Sequence, residues 1–288
     1  MSIKKNRLSL PIATAAFLAI SLSGVAVADA GVWGLNKHPA PSMGSHSSIF
    51  ALNNSVSIAA DGTLMNYQEH INPGPSDTES GWMPGFKVAG SYMDHQNIYL
   101  HLGYAYNSGG IHYDGANLET GAPAYTTDRA TTQRLLGKIG YGFWLSPHMA
   151  ITPYVAAGFQ SWHRNLLITG GQEIEDYSSP LAGVGALFQY QMTPRMVLSA
   201  DAEVLAVTGG GMTPHITGIS APSAKFGTSG EEKLGLSANY RIDGPFSVFG
   251  GLSFTHFTYT GGAMGKYFME PASSTNRFGM DAGIRYNF

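Results

Sequence analysis

Apolar and polar residues alternate with a period of two over much of the chain after residue 55. In the last segment Phe278, Met280, Ile284, Tyr286 and Phe288 fall on one face, while charged or small residues fall on the other. A period of two is the signal of a β-strand with one apolar face. The same alternation recurs in "FKVAGSYM", "NIYLHLGYAYN", "LLGKIGYGFWL", "MVLSADAEVLAV" and "KLGLSANYRI". The pattern predicts an all-β chain of about ten strands, with eight as the alternative.

The connections between these segments sort by length. Short turns at 94–97, 146–148, 193–195 and 243–245 alternate with longer polar segments at about 68–80, 107–130, 165–178, 208–230 and 260–275. Transmembrane barrels are built this way, from tilted strands of about 9–11 residues. A soluble β-sandwich gives no reason for such sorting. We therefore expect a single antiparallel transmembrane β-barrel over residues 55–288, with short periplasmic turns and long extracellular loops.

The composition agrees with a barrel whose outer surface faces lipid. Charged residues make up 12% of the chain, about half of the usual share of about 25% in soluble domains. The chain has no cysteine, which excludes disulfides and Cys-ligated metals. It also has no basic patch, so nucleic acid is not an expected partner.

The beginning of the chain has the features of a secretory signal peptide. Lys4, Lys5 and Arg7 precede an apolar stretch over residues 8–27, and small residues then offer cleavage sites near residue 30. We expect residues 1–30 to be a cleaved signal peptide and residues 31–54 to be a periplasmic lead. The expected location is the cell outer membrane.

Charged residues occupy the second face of the predicted strands. Closing the sheet puts this face in the lumen, where long charged side chains must pair because the interior is poorly hydrated. The predicted lumen charge network consists of Lys87, Arg134, Lys138, Arg164, Asp201, Glu203, Lys233, Arg241, Arg277, Asp281 and Arg285.

The chain resembles a known family in several segments. The stretches "SGWMPGFKVAGSY", "NIYLHLGYAYNSGGIHYDG" and "ITPYVAAGFQSWHRNL" are similar to those of the outer-membrane β-barrel family of Gram-negative bacteria that includes outer-membrane protein A and the opacity proteins. The ending with Ile284, Tyr286 and Phe288 resembles the signal that such proteins present to the barrel-assembly machinery. The resemblance implies that machinery, outer-membrane lipid and lipopolysaccharide as partners.

The sequence provides no strong catalytic signal. No Asp-Asp dipeptide of the kind found in omptin proteases is present, and the acids Glu173, Glu175 and Asp176 are most simply solvated loop charges. Trp162 and Arg164 share a strand face, where they either pack in the lumen or stack on a ligand. We expect no catalytic residues, no metal and no cofactor.

The predicted function is accordingly a non-enzymatic one. It is the display of polar surface loops for adhesion, envelope integrity or another surface contact, with a ligand that the sequence does not specify. A narrow porin-like channel for small solutes is the first alternative, and an outer-membrane hydrolase is the second.

Overall fold

The computed structural model describes residues 48–71, 77–116, 121–168, 171–218, 220–264 and 268–288. The predicted signal peptide and most of the predicted lead lie outside these described residues.

Ten long strands form one closed antiparallel barrel. Each strand pairs with the next along the chain, and the last pairs with the first from Ser55 opposite Asn287 to His70 opposite Ala272. This closure confirms the prediction of a ten-stranded barrel. It is favourable because an open sheet would leave unpaired backbone groups at its edges. The strands are β1 Ser55–His70, β2 Thr78–Met93, β3 Ile98–Ala116, β4 Pro123–Tyr141, β5 Met149–Ile168, β6 Gly171–Thr193, β7 Met196–Val207, β8 Ser229–Asp243, β9 Phe246–Tyr259 and β10 Ala272–Asn287.

Shorter elements lie at the two ends of this barrel. Helix α1 spans Ser48–Leu52, just before β1. Short strands span Phe143–Ser146, Gly211–Ile216, Ala224–Lys225, Gly262–Met264 and Phe268–Glu270. Within the described ranges, no helix has the length and apolar character needed to cross a membrane.

An apolar belt surrounds the barrel next to the short turns. Leu102, Ile139, Val155, Leu236 and Leu252 are among the outward side chains that are more than half exposed. The belt covers residues 56–64, 82–92, 98–106, 135–141, 151–159, 184–192, 198–204, 234–242, 246–254 and 278–286. Most of these segments have the length that a tilted strand needs to cross a bilayer.

The strands continue well beyond the belt and form a collar at the long-loop end of the barrel. The polar segments that the sequence predicts as loops are largely strand, since β5 runs to Ile168 and β6 resumes at Gly171. The alternation of apolar and polar residues is less regular there because the outer face is polar and the inward face mixes apolar with charged residues, yet the strands remain paired through their backbones. The outer wall of the collar includes Asn66, Ser108, Thr131, Ser161, Thr258, Ser274 and Asn276.

Helix α1 closes the short-turn end. Ile49 and Leu52 are buried against Ala150 and Val197. The side chains of Asn53 and Gln189 exchange two hydrogen bonds, of 2.8 and 3.0 Å. The part of the predicted lead that the structure describes therefore packs into the barrel.

Candidate functional site

The lumen contains charged clusters at belt level. In the first, Lys87 Nζ lies 2.7 Å from Asp61 Oδ1 and 2.9 Å from Asp281 Oδ2. Asn107 donates to the second oxygen of Asp61 at 2.7 Å. These contacts join strands β1, β2, β3 and β10, so the cluster spans the seam at which the barrel closes.

The second cluster crosses the lumen from β4 to β7 and β8. Lys138 Nζ lies 2.5 Å from Asp201 and 2.9 Å from Glu203, and Lys233 lies 3.0 Å from Glu203. Arg134 binds Glu231 at 2.6 Å. Each buried carboxylate here has a cation, which is the condition for tolerating charge in a poorly hydrated interior.

Three predicted network members stand apart from carboxylates. Arg241, at the short-turn end, donates to the carbonyl of Pro194 at 3.2 Å. Arg285 donates to the Leu52 carbonyl and to Ser55 Oγ, at 3.2 and 3.0 Å. Arg277 lies over the ring of Phe257, with its guanidinium carbon 4.8 Å from the centroid. Among the described residues none of the three forms a salt bridge.

A cavity of about 360 Å³ lies between these clusters, and we call it the lumen cavity. Leu52 and Asn53, which belong to the closed short-turn end, are part of its lining. Charged side chains from opposite walls complete it, namely Asp61, Lys87, Arg134, Lys138, Asp201, Lys233, Arg277, Asp281 and Arg285.

An aromatic core fills the lumen on the long-loop side of this cavity. Trp162 stacks on Tyr177 with ring centroids 5.1 Å apart and meets Tyr67 edge-on at 4.8 Å. Such pairs add about 0.5–1.5 kcal/mol each to the burial of their surface. The buried members of the core also include Met65, Met83, Ile111, Met212, Phe226, Phe257, Tyr259 and Met264.

Arg164 occupies the collar above this core. Its Nε donates to Glu79 at 2.7 Å, Nη1 contacts Glu175, and Glu69 lies 3.8 Å away. The guanidinium carbon is 5.2 Å from the Trp162 ring centroid, a cation–π contact within the lumen. With Asp128, buried beside Glu79, and Glu270, these residues form what we call the Arg164 cluster.

This cluster holds more carboxyl groups than its one guanidinium can neutralise. Tyr177 donates to Glu270 at 2.6 Å, and Tyr67 donates to Glu69 at 3.0 Å. Burial, reinforced by the charge of Glu175, raises the pKa of Glu270 to about 8. Burial also raises the pKa of Glu69 to about 7, although the positive charge of Arg164 opposes the shift. Both groups lie outside the belt.

Most of these acids are absent from the network that the sequence predicts. Asp61, Glu79, Asp128 and Glu231 face the lumen, but they do not appear in the predicted network. Glu175 points inward to Arg164, whereas its neighbour Asp176 points outward to His163. Successive residues of β6 point to opposite sides of the barrel wall, so Glu175 and Asp176 face in opposite directions. The direction of each can be predicted only if 171–181 is recognised as part of a strand.

One acid–histidine pair lies on the outer wall of the collar. His163 Nδ1 is 2.7 Å from Asp176 Oδ1, and His215 Nε2 is 4.0 Å from the other oxygen. All three side chains are exposed and point away from the Arg164 cluster. In the part of the chain that the structure covers, no three His, Cys, Asp or Glu side chains are arranged to hold a metal ion.

Ile284 and Tyr286 of the predicted assembly signal lie on the outer face of β10, and Phe288 directly follows this strand. Tyr286 meets Phe246 edge-on, with ring centroids 5.5 Å apart. The backbone N–H of Phe288 donates to the carbonyl of Asn54 at 3.0 Å. Ile284 is more than half exposed within the belt.

Comparisons with known proteins identify the fold but not a family. No protein-family model matches the chain, and no curated protein matches it. The outer membrane protease OmpT from Escherichia coli aligns with a TM-score of 0.53 at 9% identity, over 81% of this chain and 95% of that one. This similarity shows the outer-membrane β-barrel fold alone.

Other solved barrels align less well. The beta domain of the Bordetella autotransporter Brka has a TM-score of 0.42 at 12% identity, over 82% of this chain and 100% of that one. Neisserial surface protein A has a TM-score of 0.32 at 11% identity, over 81% and 97%. These scores are too low to bear on function.

Proposed function

We propose that this protein is a non-enzymatic outer-membrane barrel whose collar and loops make contacts at the cell surface, in adhesion or envelope integrity. The observation that carries the proposal is a lumen occupied on both sides of its cavity, by α1 and by the aromatic core. A closed lumen leaves the polar outer wall and the loops as the surfaces that meet other molecules. Loops on a rigid scaffold are where binding residues concentrate.

The proposed orientation follows from the belt. The belt lies in the hydrocarbon region, the short turns and α1 face the periplasm, and the collar faces outward. Lipid and lipopolysaccharide are then the partners of the belt, and the barrel-assembly machinery is the partner of Ile284, Tyr286 and Phe288. Cleavage of residues 1–30 and kinship with the outer-membrane protein A and opacity group belong to the same proposal.

A segment exchange tests the contact role. Replacing residues 117–122, between β3 and β4, with a Gly/Ser linker of the same length leaves the aromatic core intact and should reduce cell aggregation or surface attachment by producing cells while the barrel still folds. The matched control replaces the turn 94–97 at the opposite end and should leave both properties unchanged. Normal aggregation, attachment and detergent resistance in cells lacking the protein would contradict the proposal.

The His163–Asp176 pair is the observation that favours a hydrolase as second candidate. A carboxylate that orients an imidazole is part of many hydrolytic sites. If the pair is catalytic, His163→Ala abolishes cleavage of peptide or ester substrates by the purified barrel, and His256→Ala, elsewhere on the collar wall, does not. Absence of cleavage by the wild-type protein supports the non-enzymatic proposal.

A further inference from the structure

The lumen cavity has a cation without a carboxylate partner. Arg277 extends from β10 into the lumen, and its Nε has no hydrogen-bond partner among the described residues. The carboxylate of Glu231 is already bound to Arg134, at 2.6 Å. The Phe257 ring covers one face of the Arg277 guanidinium. A cation–π contact offsets only part of the cost of removing a guanidinium from water.

The charges around the cavity do not balance. Six cations, Lys87, Arg134, Lys138, Lys233, Arg277 and Arg285, face five carboxylates, Asp61, Asp201, Glu203, Glu231 and Asp281. The difference is one positive charge. The Nε of Arg285 also has no partner among the described residues, but its Nη1 donates to two neutral acceptors, the Leu52 carbonyl and Ser55 Oγ, whereas Arg277 has no hydrogen bond there. Arg277 is therefore the place where the excess charge is least compensated.

A second donor without a partner in the described part of the chain belongs to Arg134, a residue that also lines the cavity. Nη2 of Arg134 is 4.0 Å from Glu203 and has no hydrogen-bond partner among the described residues. The hydroxyl-bearing residues Thr132, Ser253 and Thr255 also line the cavity. Guanidinium and hydroxyl donors together form a suitable environment for a small anion, because hydrogen bonds to charged groups are stronger than neutral ones.

We propose that the lumen cavity binds a small anion, the size of chloride or a short carboxylate, at Arg277. The anion cancels the excess charge and accepts hydrogen bonds from Arg277 and the neighbouring donors. Because the anion binds the folded barrel and not the unfolded chain, it stabilises the folded state by mass action. The proposal is independent of the surface-contact role.

The test measures the midpoint of heat unfolding of the purified full barrel in detergent against chloride concentration. Ionic strength is held constant with lactobionate, an anion much larger than chloride or acetate. The wild-type midpoint should rise with chloride and saturate, and acetate should act in the same way. In Arg277→Gln the apparent chloride affinity should fall by about tenfold to a hundredfold, which is the loss expected for a hydrogen-bonded charge.

Arg285→Gln is the matched control, because it removes a lumen arginine of the same strand that already has neutral acceptors. It also removes one positive charge but leaves the proposed ligand Arg277 in place, so the chloride affinity should fall less than it does in Arg277→Gln. A wild-type midpoint that does not respond to chloride, or an equal loss of the response in both variants, overturns the proposal.

A direct measurement decides the matter if Arg277→Gln does not fold. A crystal of the wild-type barrel that was refolded and grown in bromide should show an anomalous bromide peak beside the Arg277 guanidinium. The absence of such a peak overturns the proposal.

Discussion

At the residue scale, the side of a strand on which a residue lies decides how much a substitution lowers the free energy of unfolding. Leu236 faces outward near the middle of the belt and is more than half exposed. Leu236→Arg should therefore lower the free energy of unfolding by about 2–4 kcal/mol, measured by denaturant titration in lipid vesicles. Gly230 lies on the same face of β8 beyond the belt, and a Cβ there meets nothing within 4 Å. Gly230→Arg should lower the free energy of unfolding much less. Equal losses in the two variants would mean that the belt extends as far as Gly230.

The raised pKa of Glu270, a single residue of the Arg164 cluster, predicts a pH dependence of stability. Its pKa is about 8 in the folded protein against 4.5 for the ordinary side chain, so the folded state retains a proton that the unfolded state has released. Stability should therefore fall as pH rises from about 5 to about 8, by at most about 1.4 kcal/mol per pH unit for this group. Glu270→Gln, which mimics the protonated form, should flatten that decline in unfolding titrations. A wild-type stability that rises over this range would show that Glu270 is ionised in the folded barrel.

At the element scale, β10 is the strand that closes the barrel, since it pairs with both β9 and β1. We expect Tyr286→Ser combined with Phe288→Ser to reduce the amount of folded barrel in the outer membrane more than it reduces the stability of refolded protein. Met280→Ser is the control, because it removes an exposed belt side chain of the same strand. Comparison of membrane fractions with unfolding titrations separates the two effects. Normal membrane levels of the double variant would contradict an assembly role.

The strands also show where sequence reasoning works and where it stops. Parity in the belt is readable, because lipid on one side and a polar lumen on the other force alternation, as in β8 and β10. In the collar the outer face is polar and the inward face mixes apolar with charged residues, as Tyr177 and Glu175 do on β6, so 171–181 shows no regular hydrophobic period. The inward direction of Glu175 was missed for that reason, and α1 has too few residues to give a periodic signal.

At the scale of the whole molecule, the lumen charges pair across distances that no local pattern encodes. Lys138 on β4 meets Asp201 on β7, and Arg134 meets Glu231 on β8. These contacts exist only because the sheet closes, so the sequence identified many of the charges but not their partners. The predicted network contains eight basic residues and three acids, and the further acids that face the lumen remove this basic excess. What is left is an excess of one cation around the lumen cavity and an excess of acids in the Arg164 cluster.

Occlusion on both sides of the cavity predicts how the whole barrel conducts ions. The wild-type protein should give no stable conductance in a planar bilayer, because α1 and the aromatic core each block the lumen. Deleting residues 48–52 alone should leave the bilayer silent, since Trp162 and Tyr177 still fill the lumen above the cavity. The double variant Trp162→Ala/Tyr177→Ala should also give no stable conductance when α1 is intact, because α1 still blocks the lumen. Only the combination of both changes should open a path, with folding of each variant checked by its resistance to protease. A stable conductance of the wild-type barrel would instead favour the channel function over surface contact.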